Sequence, residues 1–92
     1  MHKFWIHRTG DHVGVATRDI EAGERVTGVY MDTNETSEVV SKGNIPLGHK
    51  ISLVVHGEGE DVIEYGQVIG VTRTSWQLGD YVHTHNIKSK RW

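Results

Sequence analysis

One short pattern occurs three times in the chain and limits the folds that it can adopt. The copies share the form x-x-x-Gly-acid-x-Val, and they are IEAGERV (20–26), HGEGEDV (56–62) and WQLGDYV (76–82). We expect Gly23, Gly59 and Gly79 to take positive φ values, so that each turns the chain into a strand anchored by the following valine. Such units suit a small, self-wrapped β fold and are too short and irregular for a solenoid.

Short runs of alternating or β-branched residues fill most of the chain, and no window of about 11 residues or more has a convincing helical period. The predicted strands are KFWIHR (3–8), HVGVAT (12–17), ERVTGVY (24–30), TSEVV (36–40), HKISLVV (49–55), DVIEYG (61–66), QVIGVTR (67–73) and DYVHTH (80–85). Short strands joined by loops disfavour a parallel α/β sheet. They predict one small all-β domain over residues 1–92.

Charge and hydropathy exclude some classes of function. Ten basic and twelve acidic side chains give a net charge of −2, which argues against a dedicated nucleic-acid binder. The basic cluster of Lys88, Lys90 and Arg91 is expected to be a solvated tail. The chain has neither an apolar run of about 20 residues nor a signal-peptide core. We therefore expect no membrane contact and a soluble, cytoplasmic protein.

The small size of the chain predicts a partner. A domain of 92 residues buries roughly 60–65% of the surface of its unfolded chain, and without cysteine it has no disulfide to add stability. An oligomer of the isolated chain, or a larger partner, would cover part of the remaining apolar surface. The tryptophans and tyrosines, Trp92 included, are expected to be core or interface anchors.

Histidine stands out in the composition, with seven copies, and it serves as base, acid or metal ligand near neutral pH. In a strand, His83 and His85 of VHTHN (82–86) would share one face, with Asn86 turned the other way. The pair could be metal ligands, acid–base groups or a polar strand edge, and spacing alone does not decide among these.

Two further segments carry candidate site residues. In GHK (48–50), His49 and Lys50 follow a Pro/Gly loop, and the lysine could bind a substrate carboxylate or sulfonate, or be a solvated residue at a strand start. In GDHVGV (10–15), His12 lies at a strand end, where site residues often collect. Asp11 beside it could orient an imidazole or belong to the turn.

Four ordered motifs resemble the SAF domain of the altronate and galactarate dehydratase family, which has a β-clip fold. They are GDHVGVATRDIEAGERV, IPLGHKISL, EYGQVIGVT and LGDYVHTHN, and the resemblance covers nearly the whole chain. In this family the domain often precedes a much larger catalytic chain, and in some members it is a separate small subunit. His12 replaces the asparagine of the dehydratase motif DNVAVA, and the chain ends shortly after VHTHN with NIKSKRW. Both features are more similar to the small subunit of a sulfite-eliminating lyase of this family.

The resemblance implies an elimination reaction on a small anionic hydroxy acid, with iron(II) shared between this chain and a large catalytic subunit. A divalent metal suits such chemistry because it stabilises the enolate-like charge. The positions that match the family motifs are His12, His49, Lys50, Tyr65, His83, His85 and Asn86. Among them His83 and His85 are the candidate metal ligands. His2 and His56 fall outside the motifs and are expected on the surface, and His7 is not assigned.

Two rival hypotheses stay open on the sequence. The chain could be the small subunit or domain of a sugar-acid dehydratase, since the motifs are common to that family. It could also be a binding or assembly module without catalytic residues, because a β domain of this size is small for a complete active site.

Overall fold

The structure, a computed structural model, describes residues 2–89 and confirms the predicted all-β class. Its strands are β1 (Phe4–Ile6), β2 (Val13–Ala16), β3 (Arg25–Tyr30), β4 (Thr36–Val40), β5 (Lys50–Ser52), β6 (Asp61–Glu64), β7 (Gln67–Thr72), β8 (Tyr81–Val82) and β9 (Ile87–Ser89). No helix in the described residues is long and apolar enough to cross a membrane.

The strands form two sheets. The larger has the order β4-β3-β1-β2-β5-β8, and the smaller has the order β6-β7-β9. β1 and β3 run parallel, and the other pairs are antiparallel. Strands β1 to β7 fall inside the predicted runs, and β4 matches its prediction at both ends. The pairing of β2 with β5 places Val15 opposite Lys50 and so fixes the position of the GHK segment.

Strand β9 was not predicted, because Ile87–Ser89 had been assigned to the end of the chain. It pairs with β7, and exposed Lys88 lies on it opposite Val71, so Lys88 belongs to a sheet and not to a solvated tail. Lys90, Arg91 and Trp92 lie outside the described residues.

The glycines of the repeated units take the predicted conformation. Gly23, Gly59 and Gly79 have φ values of 81°, 80° and 89°. The valine that ends each unit is buried, as Val26, Val62 and Val82 are 2%, 0% and 3% exposed. Each unit therefore turns the chain at its glycine and inserts its valine into the core, as the pattern predicts.

The acid of each unit has a specific bond that explains its place in the pattern. The carboxylate accepts the N–H of the residue three positions earlier. The pairs are Glu21 N–H to Glu24 Oε1 (3.0 Å), Gln77 N–H to Asp80 Oδ2 (2.7 Å), and Gly57 N–H to Glu60 Oε2. Such a side-chain-to-backbone hydrogen bond stabilises the turn locally.

A fourth unit, IPLGHKI (45–51), has the same geometry although it lacks the acid. Gly48 has a φ of 86°, and Ile51 takes the place of the valine and is fully buried. The units are joined in pairs by isolated antiparallel bridges, Ile20 with Ile45 and His56 with Trp76. The fold is thus built on four related turns.

The core consists of two hydrophobic clusters. The larger comprises Phe4, Ile6, Ala16, Ile20, Val26, Val39, Ile45 and Ile51. The smaller comprises Val13, Val62, Trp76 and Val82. Trp76 is 1% exposed, and its indole Nε1–H donates to the backbone oxygen of Asn86 at 2.9 Å. The smaller cluster therefore supports the VHTHN segment from beneath.

His56 is half-buried and not on the surface, which corrects the prediction for this residue. Its Nε2 lies 3.1 Å from Nδ1 of His12, and its ring contacts Trp76 at a centroid distance of 5.8 Å. The N–H of Ile63 also donates to His12 Nδ1, at 3.1 Å. Burial, followed by the neighbouring His56, lowers the pKa of His12 below its ordinary value of 6.5. His12 is accordingly a neutral acceptor that joins two segments of the chain.

The repeated turns predict unequal effects of two glycine substitutions. An added Cβ at Gly79 would overlap the backbone carbonyl oxygen of Val40, whereas nothing lies within 4 Å of the same position at Gly59. Both residues have positive φ, which costs an alanine about 1–2 kcal/mol. We expect Gly59→Ala to lower the free energy of unfolding by that amount and Gly79→Ala by at least about 3 kcal/mol. Urea unfolding measures both, and equal losses would contradict the steric argument.

The His12 environment predicts a pH effect on stability. The pKa of His12 is lowered in the native state, so the unfolded chain binds more protons than the native chain once the pH falls through 6.5. Stability is therefore lost as the pH falls from there to the native pKa of His12. In His12→Asn, the side-chain oxygen keeps an acceptor for Ile63 N–H but does not titrate. We expect the free energy of unfolding of this variant to fall less steeply from pH 7.5 towards about pH 5.5 than that of the wild type.

Urea unfolding at a series of pH values measures this slope. The control is His2→Asn, which removes a histidine outside the His12–His56 pair and should leave the wild-type slope. An unchanged slope in His12→Asn would contradict the proposed role of the buried imidazole.

Candidate functional site

The VHTHN segment is a turn beyond Val82 and not a strand. β8 ends at Val82, and residues 83–86 form a turn in which the N–H of Asn86 donates to the oxygen of His83 at 2.9 Å. The prediction of a strand over 80–85 is therefore wrong in its second half, and the argument from strand alternation does not apply to His83 and His85. Both side chains are exposed on this turn.

Asn86 holds the turn together. Its side-chain Oδ1 accepts the N–H of His83 at 2.9 Å, and its Nδ2 donates to the backbone oxygen of Tyr81 at 2.8 Å. The residue is 5% exposed, so its amide is buried, whereas His83 and His85 are exposed. Both ends of the amide bond to the backbone, which gives Asn86 a positioning role beside its motif neighbours.

Tyr81 connects the histidines of two motifs. Its hydroxyl lies 2.7 Å from Nδ1 of His49, and its ring stacks on His83 at a centroid distance of 5.6 Å and an interplanar angle of 7°. The rings of His49 and His83 are themselves 5.3 Å apart. When His49 donates its Nδ1 proton to the tyrosine oxygen, its Nε2 carries a lone pair that can accept a proton or bind a metal.

The fourth turn explains why position 49 does not require an acid. In the other three units this position is an acid that accepts an N–H three residues earlier. Here that earlier residue is Pro46, which has no N–H to donate. An acid would have no local partner, so position 49 is released from turn formation and its imidazole is directed to Tyr81.

His49 and His83 line a common groove, which we call the histidine groove. Its volume is about 330 Å³, and it is lined by His49, Lys50, Val82, His83, Thr84 and Ile87. His49 and Lys50 thus face the same space, although successive residues of a regular strand would point oppositely. His85 lies on a different depression, together with Lys42, Asp80 and Tyr81, and contacts the Tyr81 ring at 5.9 Å. The two histidines of VHTHN therefore line separate depressions around one tyrosine.

Lys50, whose side chain is 36% exposed, forms an ion pair with a buried carboxylate that was not predicted. Its Nζ lies 2.6 Å from Oε1 of Glu64, whose side chain is 4% exposed. The second carboxylate oxygen of Glu64 is 3.7 Å from Nε2 of His7. Strand alternation could have revealed Glu64, because it shares the inward face of β6 with Val62, and a buried carboxylate requires a partner.

Tyr65 adjoins this ion pair from a turn and not from a strand. Tyr65 and Gly66 have φ values of 57° and 71°, so they form a two-residue turn between β6 and β7 that was missed. The buried carboxylate of Asp11 accepts both of their N–H groups, at 3.0 Å and 3.2 Å, which makes Asp11 a turn residue. The Tyr65 ring stacks on His7 at 3.9 Å and so contacts the residue beside Glu64.

His12 does not share the neighbours of His49. It pairs with His56, as described above, and its backbone oxygen accepts the N–H of Leu53, whereas the oxygen of His49 accepts the N–H of Ala16. His12 and Ala16 are four residues apart in extended chain, so the backbone contacts of His12 and His49 lie about 13 Å from each other. The structure thus brings together His49, Lys50 and His83, adds Tyr81 and Glu64, and places His12 elsewhere.

The donor set fits a metal only as part of a larger site. Within residues 2–89, no group of three or more histidine or acidic side chains is arranged to hold a metal ion. His49 and His83 are the adjacent imidazoles of the histidine groove, and neutral imidazole nitrogens suit iron(II) among other first-row metals. Even if both bound a metal, several coordination positions would be left for ligands from outside the chain.

The chain matches one protein-family model and several known proteins. The model of the altronate/galactarate dehydratase SAF domain matches residues 2–90. The chain is 41% identical over 90 residues to the (2R)-sulfolactate sulfo-lyase subunit alpha of Chromohalobacter salexigens, which covers 97% of this chain and 96% of that protein. It is 39% identical over 64 residues to the subunit of the same name from Paracoccus pantotrophus, over 70% of this chain and 96% of that one.

A longer relative contains the same type of domain. The chain is 35% identical over 86 residues to the altronate dehydratase of Bacillus subtilis, and the match covers 91% of this chain but 16% of that protein. The domain therefore occurs both as a separate chain and within a much larger enzyme. The family model matches nearly all of the chain, and the relatives are 35–41% identical to it. The chain therefore belongs to the altronate/galactarate dehydratase SAF domain family.

Proposed function

We propose that this chain is the small subunit of a cytoplasmic lyase that eliminates sulfite from (2R)-3-sulfolactate and leaves pyruvate. A large catalytic subunit would complete the active site, and the small subunit would be inactive alone. The observation that carries the proposal is the end-to-end match with a sulfo-lyase subunit alpha, which is about as long as this chain. The match with altronate dehydratase covers a small part of that protein, so a dehydratase subunit is the second candidate.

The residues of the histidine groove suit this elimination. A base removes the proton from the carbon next to the carboxylate, a double bond forms to the neighbouring carbon, and the carbon–sulfur bond breaks with its electron pair leaving on sulfite. The resulting enol becomes pyruvate when a proton returns to the terminal carbon. His49 is suited to act as the base, because its bond to Tyr81 orients the ring.

Lys50 is suited to bind the substrate carboxylate. Lys50 lines the groove beside His49, and its ammonium group is held by buried Glu64. The lysine places a positive charge near the atom at which enolate-like charge develops, and the ion pair with Glu64 limits its motion.

The proposed metal would be shared between the subunits. Iron(II) bound there would stabilise the negative charge that develops on the substrate. His83 is the ligand that we assign to this chain, because it lies beside His49 in the groove and is exposed. His85, the other predicted ligand, faces a different depression, where it packs on Tyr81.

Reconstitution with substitutions tests this proposal. The chain is co-expressed with a candidate large subunit, and the purified complex is assayed for sulfite release from sulfolactate and for water loss from altronate and galactarate. We expect sulfite release from the wild type. We expect His49→Gln to lower kcat at least about 100-fold with normal iron content, since general base catalysis supplies about that much. We expect His83→Gln to lower the iron content of the complex as well.

The control is His2→Gln, which removes a histidine outside the groove and should leave both activity and iron content unchanged. Water loss without sulfite release would establish the dehydratase alternative. If His49→Gln and His83→Gln both retained full turnover while the complex assembled, the chain would be a docking module and the catalytic assignment would be wrong.

A further inference from the structure

A second groove adjoins the histidine groove. It has a volume of about 470 Å³, and the two grooves share Lys50, Thr84 and Ile87. Arg73 and Lys88 line only the second one, which we call the cationic groove. Lys50 thus lines both grooves, His49 and His83 line the first, and Arg73 and Lys88 line the second.

The positive charge of the cationic groove is not balanced within the described part of the chain. Lys50 is paired with Glu64, but among residues 2–89 the ion pairs within 4.0 Å include neither Arg73 nor Lys88. Both side chains are exposed. A groove with two uncompensated cations favours an anionic ligand.

Two hydrogen bonds hold Arg73 against the turn that carries His83 and His85. Its Nη1 donates to the backbone oxygen of Thr84 at 3.0 Å, and its N–H donates to the oxygen of Asn86, also at 3.0 Å. A guanidinium group has five N–H donors in a fixed plane, so this bond leaves others for an oxyanion. The same turn thus positions His83 at one groove and Arg73 at the other.

We propose that Arg73 and Lys88 bind the sulfonate of the substrate and thereby select a substrate with an anionic group at each end. This inference rests on the proposed function. A sulfonate carries one negative charge, and the electron pair of the broken carbon–sulfur bond gives departing sulfite a second. The charge at this end therefore grows during the reaction, and two cations there stabilise the transition state more than the ground state.

The arrangement also separates this substrate from a sugar acid such as altronate. Altronate has a carboxylate at one end and hydroxyl groups along the rest of the molecule. Lys50 can bind a carboxylate in either case, but Arg73 and Lys88 would gain no charged partner from altronate. Against altronate, the cationic groove therefore supplies a discrimination that the residues of the histidine groove alone do not.

Substitutions in the reconstituted complex test the inference. We expect Lys88→Gln and Arg73→Gln each to lower kcat/KM for sulfolactate about 10-fold or more, and to raise the inhibition constant of the product sulfite by a similar factor. Lys88 is the cleaner site, because no hydrogen bond of its side chain supports the turn in the described residues. Arg73→Lys keeps the charge and should restore most of the affinity for sulfite, which a merely structural role of the arginine would not explain.

The matched control is Arg25→Gln, which removes the positive charge of an exposed pair between Arg25 on β3 and Glu38 on β4 and should change neither constant. If the wild type releases sulfite and both groove variants keep its kcat/KM and its inhibition constant, the inference is wrong while the proposed function stands.

A complex that releases no sulfite would overturn the proposed function, and the groove would then be tested by binding. The 92-residue chain is titrated with sodium sulfite at constant ionic strength and followed by NMR, with sodium chloride as the reference salt. Saturable chemical-shift changes at Arg73 and Lys88 that are lost in Lys88→Gln would support an anion site. Shifts equal to those in chloride would overturn it.

Discussion

The fold depends on one local interaction. At a turn that contains a glycine with positive φ, a carboxylate accepts a hydrogen bond from the backbone N–H three residues before it. Glu24, Glu60 and Asp80 make this bond, and each is followed two residues later by a buried valine. Because the turns are joined in pairs by short bridges, a thin core can fix strands as short as two residues. Local turn chemistry thus replaces the long strands and the disulfides that a small domain otherwise uses.

The candidate site arises where this pattern changes. In the fourth unit Pro46 removes the N–H that an acid would accept, and His49 occupies the acid position and contacts Tyr81. Tyr81 follows the acid of the third repeated unit, so two related turns present their side chains to each other. Strand β5 then adds Lys50 to the same groove. The repeated units build the scaffold, and the unit that lacks the acid places His49 at the candidate site.

The sequence predicted the fold well and the site in part, and the physical reasons differ from residue to residue. Glycine conformation and valine burial are local, so the repeated pattern was sufficient for Gly79 and Val82. His56 occupies the first position of its unit, as Ile20 and Trp76 do in theirs, and this alignment indicated that His56 is partly buried. The turn at VHTHN escaped prediction because the side-chain bonds of Asn86 override the strand pattern. Glu64 pairs with Lys50 from another strand, and such a contact requires the tertiary structure.

The central claim is that the groove beside His49 is one wall of an active site shared with a larger subunit. The most direct test is an experimental structure of the reconstituted complex with pyruvate and sulfite bound. The account predicts that the histidine groove faces the partner, with pyruvate within hydrogen-bonding distance of His49 and Lys50. Products bound entirely by the larger subunit, with this groove open to solvent, would contradict it.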